Sequence, residues 1–467
     1  MNPSPANSKS FDTLPLSPAA QENLRRLGYL EMTAIQAASL PAALQGRDVI
    51  AQAKTGSGKT AAFALALLAK LDARRFETQA LVLCPTRELA DQVTIEIRRL
   101  ARAEDNIKVV TLAGGVPLRG QTASLERGAH IAVGTPGRVI DHLERGNLSL
   151  DALTTLVLDE ADRMLDMGFV DDISKVARKC PTKRQTLLFS ATYPEGIAKL
   201  AAQFLRDPVT VKVEAHHSGD QIEQRWYEVR EDQRLTSVAL LLEHFRPAST
   251  LAFCNTKARC RELVELLQAQ GFSALALHGD LEQRERDQVL VRFANGSCSV
   301  LVATDVAARG LDISGLAAVV NVDISPDPEA YVHRIGRTGR AGQTGQALSL
   351  ASLDEMGAVG RIEQLQGQPS VWHALTELSP APGGRLLPAM ETVHIQAGRK
   401  DKIRPGDVLG ALTADLGYTR EQVGKIDINE FATYVAVERG IAREVVERLN
   451  SGRIKGRSVR ARLLSDD

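Results

Sequence analysis

Six short apolar runs, each followed by a helical pattern, constrain this chain more than any other feature. They are DVIAQA (48–53), ALVLCP (80–85), KVVTLA (108–113), HIAVGT (130–135), TTLVLD (154–159) and TLLFSA (186–191). Amphipathic stretches such as Arg87 to Ala101 and Asp171 to Cys180 lie between them. Strands that are apolar along their whole length must be buried on both faces, and the intervening helices supply the cover of a parallel sheet. After a polar stretch, EAHHSGDQIEQ (214–224), the rhythm restarts with STLAFC (249–254), SALALH (273–278), CSVLVAT (298–304) and AAVVNV (317–322). The pattern predicts two tandem α/β domains with a cleft between them and the polar stretch as their hinge.

A second break, SPAPGGRLLPAM (379–390), holds three prolines and a glycine pair and reads as a linker. Beyond it the periodicity predicts strand 391–396, helix 405–416, strands 422–428 and 431–437, helix 441–450 and strand 458–464. That order suits a small four-stranded α+β sheet backed by two helices. The expected segments are therefore 1–36, 37–212, 213–378, the linker 379–390, and 391–467.

Composition narrows the function classes. Lys plus Arg (57) equals Asp plus Glu (57), so any nucleic-acid surface has to be local. The longest clean apolar run, Ala61 to Ala69, is too short to cross a bilayer. The N-terminus MNPSPANSKSFDTL lacks a basic region ahead of an apolar one, which predicts no secretory signal and a cytoplasmic protein. The five cysteines form no C-x-x-C pair, against zinc ribbons and redox motifs, and His216 and His217 lack thiol or carboxylate neighbours at ligand spacing.

Chemistry concentrates in two places. Ala53 to Thr60 reads AKTGSGKT between the strand DVIAQA and a helical run, with Ala53 at the first glycine position of a phosphate loop. Gly56 and Gly58 let backbone N–H groups converge on phosphate oxygens at a helix N-terminus. Lys59 would reach the β- and γ-phosphates and Thr60 would ligate Mg²⁺. Asp159-Glu160-Ala161-Asp162 closes the strand TTLVL at the end where α/β ligand clefts lie. Asp159 would hold Mg²⁺, and Glu160 would orient and deprotonate the attacking water.

The letters D-E-A-D at 159–162 are those of the DEAD-box RNA helicases of superfamily 2, and the chain resembles that family from Phe11 to Leu378. The resemblance implies two RecA-like domains and ATP bound by Ala53, Lys54, Thr55, Gly56, Ser57, Gly58, Lys59 and Thr60. Gly28-Tyr29 and Thr33 to Gln36 resemble the Q motif, with Phe11 upstream; Gln36 would pair with adenine, beside Tyr29. The family usually has proline at the position of Ala34. PTRELA (Pro85, Thr86 and Arg87 onward), Gly114-Gly115 and TPGR (Thr135, Pro136, Gly137, Arg138) match RNA-contact motifs of the first domain. Ser190, Ala191 and Thr192 match the motif coupling hydrolysis to strand separation.

In the second domain FCNT (253–256), Gln283 with Arg286, and ATDVAARGLDI (303–313) match in turn, with Thr304 implied on RNA and Asp312 on the ribose. HRIGRTGR supplies His333, Arg337 and Arg340, which on a helix would share one face. The resemblance makes His333 part of the catalytic set and makes Arg337 and Arg340 arginine fingers.

The last segment carries 14 Lys and Arg against 12 Asp and Glu over 391–467, and its cations cluster. GRKDKIR (398–404) includes Lys400, Lys402 and Arg404; RIKGRSVRAR (453–462) includes Arg453, Lys455 and Arg457. Both are expected to hold RNA. The order resembles an RNA recognition motif, but NEFATYVAV (429–437) keeps Phe431 and Tyr434 without the ring spacing that usually stacks bases. Basic loops and helix ends are therefore the expected RNA contacts. Within the family this segment looks like that of the bacterial DbpA subfamily. That resemblance implies a hairpin of 23S ribosomal RNA, pre-50S particles as partners, and a monomer. An RNA-stimulated ATPase that opens short duplexes is the leading reading. An ATP-gated RNA clamp without net unwinding, or a DNA helicase, is the competing one.

Overall fold

The computed structural model describes residues 10–464 apart from 54–55, 105, 214–221, 309–312, 314, 340–343 and 383–386. The chain divides into two compact units, the first carrying one sheet and the second carrying two. The first sheet contains β1 (Val49–Gln52), β2 (Ala80–Leu83), β3 (Val109–Leu112), β4 (Ile131–Gly134), β5 (Thr155–Leu158), β6 (Gln185–Ser190) and β7 (Val209–Lys212). They pair in the order β3-β4-β2-β5-β6-β1-β7, all parallel. Successive residues feed opposite cores: Val49 and Ala51 join one apolar cluster, and Ile50 joins the other. This two-sided burial explains why these strands read as unbroken apolar runs.

The second unit repeats the architecture with β8 (Ile222–Glu228), β9 (Thr250–Cys254), β10 (Ala274–Leu277), β11 (Val300–Thr304), β12 (Ala318–Asn321), β13 (Gly345–Ala351) and β14 (Trp372–His373). Their order is β10-β11-β9-β12-β13-β8-β14. The stretch expected as a hinge over 214–224 is partly strand, since Ile222 to Gln224 pair with Gly345 to Ala347; its remainder, with His216 and His217, lies outside the described residues. The polar letters of β8 hid it, because its charged side chains sit where Arg225 and Glu223 pair at the surface. Strands β7, β8, β13 and β14 were not expected from the apolar pattern.

The third sheet is antiparallel, in the order β16-β17-β15-β18. Its strands are β15 (Met390–Ile395), β16 (Val423–Ile428), β17 (Thr433–Glu438) and β18 (Ala461–Leu463). Val393, Ile395, Val435 and Val437 meet Val408, Leu412, Val445 and Leu449 of the two backing helices. The opposite face, with Thr392, His394 and Tyr434, is also buried. There Asn295 Nδ2 donates to Thr392 Oγ1 (3.3 Å), and the Ser297 hydroxyl lies 2.6 Å from the same atom. The third sheet thus packs against the end of helix Gln283–Ala294. All five cysteines are free and buried. Among the described residues no helix is long and apolar enough to cross a membrane.

Candidate active site and RNA interface

Because every strand of the first sheet is parallel, all its C-terminal ends open on one edge. The loops after β1, β5 and β6 carry the phosphate loop, Asp159 to Asp162, and Ser190 to Thr192, and these strands are neighbours. The loops after β2, β3 and β4 carry the three motifs expected on RNA, and these strands are also neighbours. The β2–β5 pairing joins the two halves.

The phosphate loop returns onto helix Lys59–Leu68 through Gly58, whose φ of +93° suits glycine. A Cβ there would lie 2.6 Å from Gln36 Nε2 and 2.9 Å from Thr33 Oγ1. Lys59 is 6% exposed and donates to the Ala53 carbonyl at 2.7 Å. Ala53 also donates its N–H to Ser190 O at 3.0 Å, and its methyl group is buried in the apolar cluster, so alanine is accommodated where glycine is usual. Lys54 and Thr55 lie outside the described residues. Gln36, fully buried, accepts from Thr33 N (2.8 Å) and donates to Gly58 O (3.1 Å), so it ties the helix start to the loop. Tyr29 donates its hydroxyl to Glu96 and packs edge-on to Phe11; burial pushes its phenol up.

After β5, Asp159 is 2% exposed, and burial pushes its carboxyl up to about 7 against the opposing pull of Lys59. Glu160 takes the left-handed conformation (φ 52°, ψ 51°), a strained backbone for this residue type, as the chain turns into helix Ala161–Asp166. Its carboxylate receives Arg163 Nη1 at 2.8 Å, both groups buried. Asp162 Oδ2 accepts from Ala191 N (3.1 Å), Thr192 N (2.8 Å) and Thr192 Oγ1 (3.1 Å), while Asp162 N donates to Ser190 Oγ at 3.2 Å. The acidic loop and the Ser-Ala-Thr loop are therefore one hydrogen-bonded body. The roles of Asp162 and Arg163 were missed from sequence, although both lie in or beside D-E-A-D.

Among the motifs expected on RNA, Pro85 follows β2 and Thr86 caps helix Arg87–Leu100, accepting from Leu89 N at 3.2 Å. Arg87 lies 3.6 Å from Asp91. Gly114 and Gly115 follow β3; Gly115 has φ +76°, and a Cβ on Gly114 would meet nothing within 4 Å. Thr135 precedes helix Pro136–Glu144, whose Gly137 is equally open. Arg138 donates to Val116 O (3.2 Å) and Gln121 Oε1 (3.1 Å), and Gln121 also bonds Ala113 O (2.8 Å) and His142 (2.9 Å). Gln121, unremarked in the sequence, locks the loops after β3 and β4 together.

In the second unit Arg286 Nη2 donates to Ala307 O at 2.6 Å, and Gln283 donates to Asp287 at 2.8 Å. Thr304 ends β11, and Asp305 beyond it takes a two-pronged pair from Arg334 (2.7 and 2.6 Å). Arg334, 1% exposed, also donates to Asp323 O and Asn255 and lies over Phe253. It is the structural arginine of HRIGRTGR. The expectation that His333, Arg337 and Arg340 share a helical face fails. The helix Pro328–Ile335 stops at Gly336, so His333 lies on it and Arg337 lies in the turn beyond. The chain leaves the helix at Gly336 (φ −64°, ψ 3°), and Thr338 then bridges to Leu316. Arg337 is 6% exposed; Arg340 and Asp312 lie outside the described residues.

The two basic segments of the third domain meet. Lys455 Nζ donates to Lys402 O (3.0 Å) and pairs with Asp407 (3.1 Å); Arg457 pairs with Asp401 (2.5 Å) and Lys400 with Glu430 (2.9 Å). Arg404 precedes helix Pro405–Gly410, and Arg453 is exposed. The 453–462 segment, bare of anions in its own sequence, meets Asp401 and Asp407 of the first basic segment and its following helix, while Lys400 meets Glu430.

Three family models match in tandem: the DEAD/DEAH box helicase over residues 33–200, the helicase conserved C-terminal domain over 232–342, and the DbpA RNA binding domain over 392–463. The ATP-dependent RNA helicase DbpA of Escherichia coli (strain K12) is 52% identical over 456 residues, covering 97% of this chain and 99% of that protein. The DEAD-box ATP-dependent RNA helicase CshA of Geobacillus kaustophilus is 46% identical over 70% of each chain. Among solved structures, S. cerevisiae Dbp5 bound to RNA and ADP BeF3 matches with a TM-score of 0.73 at 31% identity, covering 79% of this chain and 96% of that one. Fold, motif order and full-length identity agree: the chain belongs to the DEAD-box ATP-dependent RNA helicases, of the type that carries a DbpA RNA-binding domain.

Proposed function

We propose that this helicase couples ATP hydrolysis to local opening of short RNA duplexes on a 23S ribosomal RNA hairpin during large-subunit assembly. The observation that carries the coupling is Asp162, whose carboxylate holds Ala191 and Thr192 to the loop bearing Asp159 and Glu160. A change at the nucleotide then reaches a loop two strands from the RNA motifs through the hydrogen bonds of this one carboxylate. Segments 37–212 and 213–378 form the ATP- and RNA-handling core and 391–467 the targeting domain. The working unit is a cytoplasmic monomer acting on pre-50S particles.

A Mg²⁺ ion fits the first unit, since Thr60 and Asp159 present hard oxygen donors and Asp159 is a buried carboxyl at the C-terminal end of β5. When bound, the ion would neutralise charge on the phosphate oxygens. Lys59 binds the phosphates, and Glu160, steadied by Arg163, accepts the proton of water. Arg337 and Arg340 supply the finger charge to the phosphates, and RNA stimulates hydrolysis by differential binding. Gln36 and Tyr29 border the adenine and Asp312 the ribose. His333 supports the arginines.

Lys400, Lys402, Arg404, Arg453, Lys455 and Arg457 grip phosphates of the hairpin. Helicase motifs on the sugar-phosphate backbone position a strand without reading it, so specificity falls to the third domain. The test is phosphate release from the full chain and from a chain ending at residue 378, with the ribosomal hairpin and with unrelated RNA of equal length. Loss of the hairpin preference on truncation, with hydrolysis kept on long RNA, supports the reading. A retained preference places specificity in the core, and phosphate release indifferent to RNA rejects the coupling.

A further inference from the structure

The motif NEFATYVAV carries two rings, and the fold separates their fates. Tyr434 lies on β17, 7% exposed and tilted against His394 at 5.1 Å, on the face that packs against the end of helix Gln283–Ala294. It is closed to bases. Phe431 lies three residues earlier, in the turn between β16 and β17, and is 63% exposed. A single exposed ring is ordinary in itself. This one has Lys400 Nζ 4.1 Å from its centroid, and Lys400 also pairs with Glu430 at 2.9 Å.

The turn is held rigidly to the basic segment. Arg399 N donates to Asn429 O (2.9 Å) and Lys400 N to Glu430 O (3.0 Å). A Cβ on Gly398 would lie 2.5 Å from Asn429 O and 2.6 Å from Ala432 N, so only glycine allows this approach. The ring is thereby fixed beside the cations of 398–404. The Lys400–Glu430 pair is more than half exposed at both ends (57% each), and such pairs are weak enough to open to a phosphate.

We propose that Phe431 is a stacking platform for one unpaired base of the RNA held by the basic loops, with Lys400 turning to the adjoining phosphate. This rests on the third domain being the RNA-targeting domain. Every base presents a π-face, and sequence-specific RNA recognition draws mainly on unpaired loop nucleotides. The sheet face that usually stacks bases is occupied here by the helicase unit. An exposed ring on the neighbouring turn supplies the missing aromatic contact beside the cations.

The experiment uses the full chain and a 23S ribosomal RNA hairpin carrying 2-aminopurine at each loop position in turn. Phe431→Ala is expected to weaken hairpin binding roughly 5- to 100-fold, the range for one lost base stack. Its dependence on salt should keep the wild-type slope, because no phosphate contact is removed. At one loop position the wild-type chain should quench 2-aminopurine, Phe431→Ala should relieve the quench, and Phe431→Tyr should restore it. Wild-type affinity in Phe431→Ala with unaltered fluorescence at every position overturns the proposal and points to a protein partner for this ring. If the wild-type chain itself fails to prefer the hairpin over unrelated RNA, the targeting reading falls and the stacking site falls with it.

Discussion

The acidic loop after β5 and the basic loops of the third domain are both clusters of like charge in the sequence, yet the fold treats them oppositely. Asp159, Glu160 and Asp162 are at most 5% exposed, and each has a defined set of partners. Lys400, Lys455 and Arg457 are about half exposed, each paired to a single acid. Buried charges must be compensated individually, because leaving one without its partner costs far more than at the surface. Exposed pairs contribute little each and act as a field. The first cluster should therefore fail residue by residue, and the second only by accumulated change.

The sharpest way to break this contrast is Glu160→Gln. The amide cannot take a proton from water, so phosphate release should fall about 10²–10⁴-fold while ATP and RNA binding persist. A wild-type turnover rate would remove Glu160 from its role. In the basic region, reversing Lys402, Arg404, Lys455 and Arg457 to Glu together should weaken hairpin binding by roughly 10- to 10³-fold and flatten its salt dependence. Any one of the four reversed alone should cost only a few-fold. A single reversal as damaging as all four would show a defined contact instead of a field.

Asp162→Asn keeps the size but removes the charge from a carboxylate that accepts four hydrogen bonds, three at Oδ2 and one from Arg163 N at Oδ1, so the amide NH₂ must face an N–H donor. Loss of charge-assisted bonds of this kind costs about 1–3 kcal/mol. Melting should reveal a drop of a few degrees, and strand separation should fall further than ATP hydrolysis. Equal loss of both activities would mean that Asp162 serves the nucleotide site and not the coupling.

The smallest effect concerns the docked face of the third sheet. Burial first, then Arg462 and Arg284, hold His394 below the ordinary imidazole value of 6.5, while the Tyr434 ring lies tilted beside it. The unfolded chain takes up that proton as pH falls through 6.5 and the folded chain resists, so stability present above 6.5 is lost on acidification. His394→Asn should flatten the fall in melting temperature between about pH 7 and pH 5, the smallest of these effects because one group carries it. An unchanged profile would place the acid sensitivity elsewhere.

How much of this was legible without the fold follows from range. The parallel sheets, the phosphate loop, D-E-A-D and the βαββαβ order of the last domain were set by sequence, because each is a local pattern of burial period or of residues fewer than ten positions apart. The polar strand β8, the turn that takes Arg337 off its helix, and the tie from Gln121 to the loops after β3 and β4 were not. These depend on which strand lies beside which, and on where a helix ends. The same holds for Asp401, Asp407 and Glu430 meeting the basic loops, and for Tyr434 turning inward while Phe431 stays in solvent. Sequence fixes which charges and rings the chain possesses. Only tertiary packing decides which of them face water, since burial is a property of neighbours that arrive from distant parts of the chain.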